Sequence, residues 1–327
     1  MTLALSRVRR VSAAWLALLV LLVVVANVLP AQTSIGAGRA VLVTGASSGI
    51  GRTITEHLAA RGFFVYGTAR KPEDIAALSR IPNVQGLRLD VTVQAEIDSA
   101  VATVRRGGRR LYAVVNNAGV AAIAPLIEMA DRDLTNMIDV NVLGPFRVTK
   151  AFSPLIIETK GRVVMISSIS GVLSGGLFGG YSMSKHAVEA YGDALATEMA
   201  RFNVGVSLVE PGNFRSDIGR NTTGQIERAI AANPNSPYIT QMQNMIPAMK
   251  AYEERYPLPT AVAEAVTHAI TDSAPRRRYM VVPVAREGEV TIRKAVEELV
   301  QLNQWNAFKL DRDALVRMLD SVLARHP

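Results

Sequence analysis

The sequence predicts an α/β protein: one doubly wound parallel sheet flanked by helices, forming a single domain, preceded by an N-terminal transmembrane helix. Short apolar runs that are continuous rather than alternating recur along the chain, as expected of strands buried on both faces. Stretches of amphipathic helical pattern separate them, which argues for a parallel sheet covered on both sides. Ahead of this series, Val11 to Leu29 is a run of nineteen residues without a charge. As a helix rising about 1.5 Å per residue it reaches across a hydrocarbon core of about 30 Å.

In order, Arg39 to Thr44 is the first expected strand, Ile50 to Arg61 a helix and Phe63 to Thr68 the second strand. Val84 to Leu89, Tyr112 to Val115, Arg162 to Ser167 and Val204 to Val209 continue the series, and Tyr279 to Val282 closes it. Helices are expected near Val290 to Leu302 and Arg312 to Ala324. The organisation is then a membrane anchor or signal-like segment over 1–31, a linker over 32–38, the sheet domain over 39–284 and a helical tail over 285–327. Within the domain, 213–259 has a looser pattern rich in Asn, Pro and Met and is expected to fold over the active site as a substrate loop. Met242, Met245 and Met249 there suit either an adaptable apolar surface for a greasy substrate or ordinary helix packing.

With 327 residues and 49% hydrophobic content the chain fills one large core, although the length also admits two domains. It has no cysteine, which excludes disulfides and thiolate chemistry, and its four histidines are scattered, so no metal site is expected. The net charge of +8 does not point to nucleic acid. The arginine clusters at 105–110 and 276–278 lack interleaved aromatics and read as solvated turns. For the N-terminal segment, a cleaved signal is the competitor to an anchor, but the apolar run exceeds the usual 7 to 15 residues and a small-x-small site ending at Ala31 fails at Leu29. A single-pass membrane-anchored location follows. Arg7, Arg9 and Arg10 favour a cytoplasmic N-terminus, which conflicts with a soluble cytosolic cofactor and leaves open which side the domain faces.

Three local patterns carry chemistry. After the first strand, Thr44-Gly45-Ala46-Ser47-Ser48-Gly49-Ile50-Gly51 opens into a helix. Such glycines let backbone approach a pyrophosphate at a helix N-terminus, which places Gly45, Ser47, Ser48, Gly49, Ile50 and Gly51 at a dinucleotide. At the end of the second strand, where an NAD enzyme offers an acid to the ribose, this chain has Arg70. A guanidinium pairs with a 2′-phosphate, so NADP(H) is expected over NAD(H); an exposed helix-start residue is the plainer reading. Finally, Tyr181 and Lys185 are one helical turn apart, so that an ammonium can lower a phenol pKa into the range of acid–base work on a carbonyl or alcohol. Alone, that pair also fits a solvated helix face.

Taken together these residues resemble the classical short-chain dehydrogenase/reductase family, from about Arg39 to Val282, in keeping with steroid, retinoid and sphingoid-base members that carry N-terminal anchors. Thr44 to Gly51 is similar to its cofactor loop, Asp90-Val91 to its adenine contact, and Asn116-Asn117-Ala118-Gly119 to its fourth-strand motif. The resemblance implies a Rossmann-like fold and a catalytic set of Asn141, Ser168, Tyr181 and Lys185, Ser168 standing thirteen residues before Tyr181. Pro211-Gly212 matches the segment after the sixth strand, with Ser216 where a nicotinamide-contacting threonine is often found. The implied partners are a small lipophilic ketone, aldehyde or alcohol, the membrane, no nucleic acid, and a second copy in a homo-oligomer. A cofactor-binding scaffold of the same fold without turnover is the alternative.

Overall fold

A computed structural model describes residues 35–251 and 255–325. The expected anchor over 1–31 lies outside the described residues. Among the described residues no helix is long and apolar enough to cross a membrane.

Seven strands form one sheet in the order β3-β2-β1-β4-β5-β6-β7, every neighbouring pair parallel. The strands are β1 Ala40–Val43, β2 Phe64–Ala69, β3 Val84–Arg88, β4 Leu111–Asn116, β5 Arg162–Ile166, β6 Gly205–Pro211 and β7 Arg278–Val281. The helices are α1 Gly49–Ala60, α2 Pro72–Ser79, α3 Gln94–Arg106, α4 Asp131–Ile138, α5 Gly144–Thr159, α6 Gly179–Met199, α7 Asp217–Ala232, α8 Ile239–Lys250, α9 Thr260–Thr271, α10 Ala285–Gln304 and α11 Arg312–Arg325.

Alternate side chains of the inner strands enter two cores, which is why the apolar runs are continuous. Ala40, Leu42, Val114 and Met165 pack with Ile97 of α3, Phe152 of α5 and Val188 of α6. Val41, Val43, Val115 and Val164 pack on the other face with Ile54 and Leu58 of α1, Leu78 of α2 and Val266 of α9. In α1, Ile54 and Leu58 are spaced by one turn and fully buried, each stabilising the fold by about 1.5–3 kcal/mol. That helix stops where Gly62 takes φ 85°, a backbone conformation glycine adopts without steric cost.

The loosely patterned segment 213–259 is helical through α7 and α8. These close over the sheet's C-terminal edge on a small core of Ile226 and Met242 with Ile123 and Leu177. The tail is helical as expected, but α10 begins earlier than periodicity indicates, at Ala285. Its outer face and the connection to α11 leave Ile292, Leu302, Trp305 and Phe308 exposed.

Candidate active site

All the chemistry-bearing loops leave the C-terminal ends of the parallel strands, where such sheets bind ligands. The turn from β1 to α1 carries Gly45 (φ 63°) and Gly49 (φ 53°). A Cβ on Gly45 would stand 2.9 Å from Ala118 Cα, and one on Gly51 would collide with the Gly45 carbonyl and the Asn117 amide. Thr44 and Asn117 lock this turn to the end of β4. Thr44 Oγ1 accepts from the Asn117 and Ala118 backbone N–H groups at 2.9 and 3.0 Å. Asn117 Nδ2 donates to the Thr44 and Gly45 carbonyls at 2.9 and 3.0 Å. The Asn117 amide nitrogen therefore shapes the loop rather than facing a ligand.

At the end of β2, the Arg70 side chain is 69% exposed and stands only loosely, at 4.0 Å, from Asp90. Asp90 Oδ1 accepts from the Thr92 backbone N–H at 2.9 Å and the Thr92 hydroxyl at 2.7 Å. Burial pushes this carboxyl up, but the Thr92 donors and then Arg70 and Arg88 outweigh it and hold it below the usual carboxylate range. Lys71 stands beside Arg70 on the same wall, together with Asp74.

Asn141 sits in a π-helical turn over Asp139–Leu143, a geometry frequent at functional sites. Its Oδ1 accepts from the Val120 N–H at 2.8 Å, while Nδ2 donates to the Val120 carbonyl at 2.8 Å and Ser184 Oγ at 2.9 Å. Ser184 Oγ in turn donates to the Tyr181 carbonyl at 2.7 Å. Lys185 is buried and its Nζ donates to the Ile166 carbonyl at 2.9 Å, lying 5.6 Å from the centre of the Tyr181 ring. Burial pushes its pKa down to about 8, against the opposing charge of Glu189. Ser168 Oγ accepts from the Ser170 N–H at 3.1 Å and donates weakly to the Pro211 carbonyl at 3.5 Å. The neighbouring Ser167 hydroxyl is buried beside Gly171.

One cavity of about 790 Å³ joins these parts. Gly45, Ser47, Ser48, Gly49, Ile50, Gly51, Arg70, Asp90, Val91, Asn117, Ala118 and Gly119 line one end. Ser168, Tyr181, Lys185, Pro211, Gly212 and Ser216 line the remainder. Of the expected site residues, Asn141 alone is not in the wall. It acts from behind, holding Val120 and Ser184, and its Oδ1 and Lys185 Nζ both face Gly119, at 3.4 and 4.0 Å from where a Cβ would stand. Ser216 Oγ accepts from the Gly219 N–H at 3.3 Å and so also caps α7.

Sequence reading missed two groups. Leu173, Phe178 and Ile218 join Met249, which the sequence singles out, in giving the far end of the cavity an apolar wall. Of the three methionines singled out, Met249 reaches this wall, whereas Met242 is buried in the small core. The second group is Glu287, in the first turn of α10. It accepts from the Asn213 backbone N–H at 3.0 Å and from Asn213 Nδ2 at 2.9 Å, pinning the Pro211-Gly212-Asn213 turn. Neither group has a sequence motif; the Glu287 contact spans 74 residues.

A family model for short chain dehydrogenases matches residues 39–227. NADPH-dependent 3-dehydrocapnine reductase of Ornithobacterium rhinotracheale is 35% identical over 260 residues, 75% of this chain and 88% of that protein. Human retinol dehydrogenase 5 is 33% identical over 256 residues, 73% of this chain and 79% of its own. A crystal structure of a short-chain dehydrogenase from Streptomyces avermitilis superposes with a TM-score of 0.68 at 30% identity, covering 82% of this chain and 95% of that one.

Proposed function

The chain belongs to the short chain dehydrogenase family, and from that premise we propose an NADP(H)-dependent oxidoreductase that interconverts a carbonyl and an alcohol on a lipophilic substrate. The observation that carries this reading is the single cavity that holds Ser168, Tyr181 and Lys185 with the glycine turn and Arg70. The glycine turn fits a dinucleotide, because Cβ atoms at Gly45 and Gly51 would fill the cradle and the turn opens onto the N-terminus of α1. Arg70 and Lys71, both on the cavity wall, favour the 2′-phosphate form. When bound, the nicotinamide supplies or takes up the hydride.

In the reducing direction Tyr181 gives its hydroxyl proton to the carbonyl oxygen, and in the oxidising direction it takes that proton back. Ser168 Oγ steadies the same oxygen. The Lys185 ammonium, fixed by the Ile166 carbonyl, favours the phenolate and so lowers the barrier to each transfer. The lone pair left on Asn141 Oδ1 is assigned to a water through which Lys185 and Tyr181 are reprotonated. Asp90 and Val91 are assigned to the adenine, Asn117, Ala118 and Gly119 to the adenosine ribose side, and Pro211, Gly212 and Ser216 to the nicotinamide.

A lipophilic neutral substrate is supported by the wall of Leu173, Phe178, Ile218 and Met249. Among the described lining residues the cations are Arg70, Lys71 and Lys185, which leaves a small carboxylate without a cation to pair with at the apolar end. The uncharged run from Val11 to Leu29 supports a membrane anchor, which would bring the mouth of the site to a bilayer that concentrates such substrates. The whole chain should then stay with membranes through an alkaline wash, and release by that wash counts against the anchor. A homo-oligomer completes the reading, with a dimer mass in detergent as its check.

The decisive measurement is NADPH oxidation with retinal by the purified full chain and by Tyr181→Phe. Turnover should fall about 10²–10⁴-fold in the variant with NADPH affinity unchanged. Near-normal turnover would remove Tyr181 as the proton donor. NADPH binding without turnover of retinal, a steroid ketone or a long-chain ketone would favour a scaffold.

A further inference from the structure

Behind the cavity lies a second cluster of titratable groups with no part in the proton path described above. Glu189 stands one helical turn beyond Lys185 on α6, 8% exposed, and Glu210 on β6 is 4% exposed. Arg278 Nε on β7 is 3.1 Å from Glu189 Oε2 and 3.2 Å from Glu210 Oε1. Asp193, a turn further along α6, receives Arg278 Nη2 at 2.7 Å and has Arg277 at 3.9 Å. The group facing this cluster from the end of β5 is the Ser167 hydroxyl, which flanks Gly171 together with Glu189 Oε1.

One guanidinium nitrogen shared between two buried carboxyl groups leaves them short of donors. Glu189 Oε1 and Ser167 Oγ are buried without a hydrogen-bond partner, and Glu210 Oε1 has only the shared Arg278 Nε beside it, at 3.2 Å. Buried polar atoms are rarely left in that state, and two carboxylates this close cannot both ionise cheaply. Glu189 and Glu210 lie within hydrogen-bond reach of each other, so one proton held between them turns a repulsion into a bond.

We propose that Glu189 is a positioning residue for the reaction: sharing a single proton with Glu210 under Arg278, it presents the fixed negative charge that keeps the Lys185 side chain an ammonium. The proposal rests on the oxidoreductase reading for its consequence, not for the shared proton itself. Burial first, and the Glu189 charge second, push Glu210 up to about 7, so at and below neutrality Glu210 is the protonated member. Glu189 is the charge that opposes the effect of burial on Lys185. Glycine at 171 is part of the arrangement, since a side chain there would press on Glu189 Cγ, at 2.8 Å.

The test uses the full chain in detergent with NADPH and retinal. Turnover of the unaltered enzyme should decline as pH rises through about 8, where Lys185 loses its proton. In Glu189→Gln that decline should move down by about one pH unit, since a nearby opposite charge is worth that order of shift. In Glu210→Gln it should stay within about 0.3 units of the parent, since Glu189 and not Glu210 is the charge that acts on Lys185. A Glu189→Gln profile scaled down equally at every pH would show a merely structural role and overturn the proposal. Infrared difference spectra of the unaltered protein provide a measurement that needs neither turnover nor the Glu189 variant. A protonated carboxyl stretch should be present at pH 6, fade as pH rises above 7, and be missing in Glu210→Gln. Its absence from the unaltered protein would overturn the shared proton. Absence of retinal turnover with that band intact would instead count against the oxidoreductase reading.

Discussion

The two ends of the cavity are built from different materials. The nucleotide end is made of backbone: Gly45 packs on Ala118 and Gly51 on the Gly45 carbonyl, and side chains such as Thr44 and Asn117 serve to fix main chain. The substrate end is made of side chains, with Leu173, Phe178, Ile218 and Met249 drawn from a loop and two helices that pack on a small separate core. Backbone approaches tolerate one residue type and fail sharply. Apolar walls tolerate many and fail gradually.

Three substitutions grade that contrast. Gly51→Ala should act hardest, because its methyl collides with the Gly45 carbonyl and the Asn117 amide, neither of which can yield without opening the turn. Overpacking of this kind costs about 1–3 kcal/mol, so NADPH affinity measured by fluorescence titration should fall about 10–100-fold. Retained affinity would mean that the nucleotide end is softer than its geometry. Arg70→Asp comes next, replacing an exposed cation by a carboxylate. The NADPH-to-NADH affinity ratio should drop about tenfold or more, a charged hydrogen bond contributing about 1.5–3 kcal/mol. An unchanged ratio would hand the 2′-phosphate to Lys71. Met249→Ala should do least, raising KM for retinal a few-fold with NADPH affinity unchanged, since the neighbouring apolar groups still exclude water. A loss as large as that of Gly51→Ala would erase the distinction between the two ends.

The same contrast decides what was legible in the sequence. The strands were readable because a sheet covered on both faces writes itself as unbroken Val, Ile and Leu. The glycine turn and the Tyr181 to Lys185 spacing were readable because local geometry fixes them within one turn of chain. Asn141 was found through resemblance, but its position behind the wall was not, because a π-helical turn has no composition of its own. Helices α7 and α8 were blurred by mixed polarity: they bury a few residues against a small core and leave the rest to the cavity and solvent. Glu287 was invisible because nothing local signals a contact to Asn213, which lies on the far side of α7, α8 and α9 in the chain.

The sheet order carries a consequence for how the molecule comes into being. β1 lies between β2 and β4, so its second neighbour arrives 71 residues after it, and each later strand must wait for a helical crossover before it can pair. Loop closure at such separations precedes any gain from the contacts, which makes parallel sheets slow to form. The cavity wall itself runs from Gly45 to Met249. During synthesis the nucleotide turn therefore exists long before the surface that completes the site, and a bound dinucleotide can reward the folded state only after residues 211–216 have emerged. Until β5 pairs, the half-built sheet has an open edge beside β4, and shielding that edge falls to the cell rather than to the ligand.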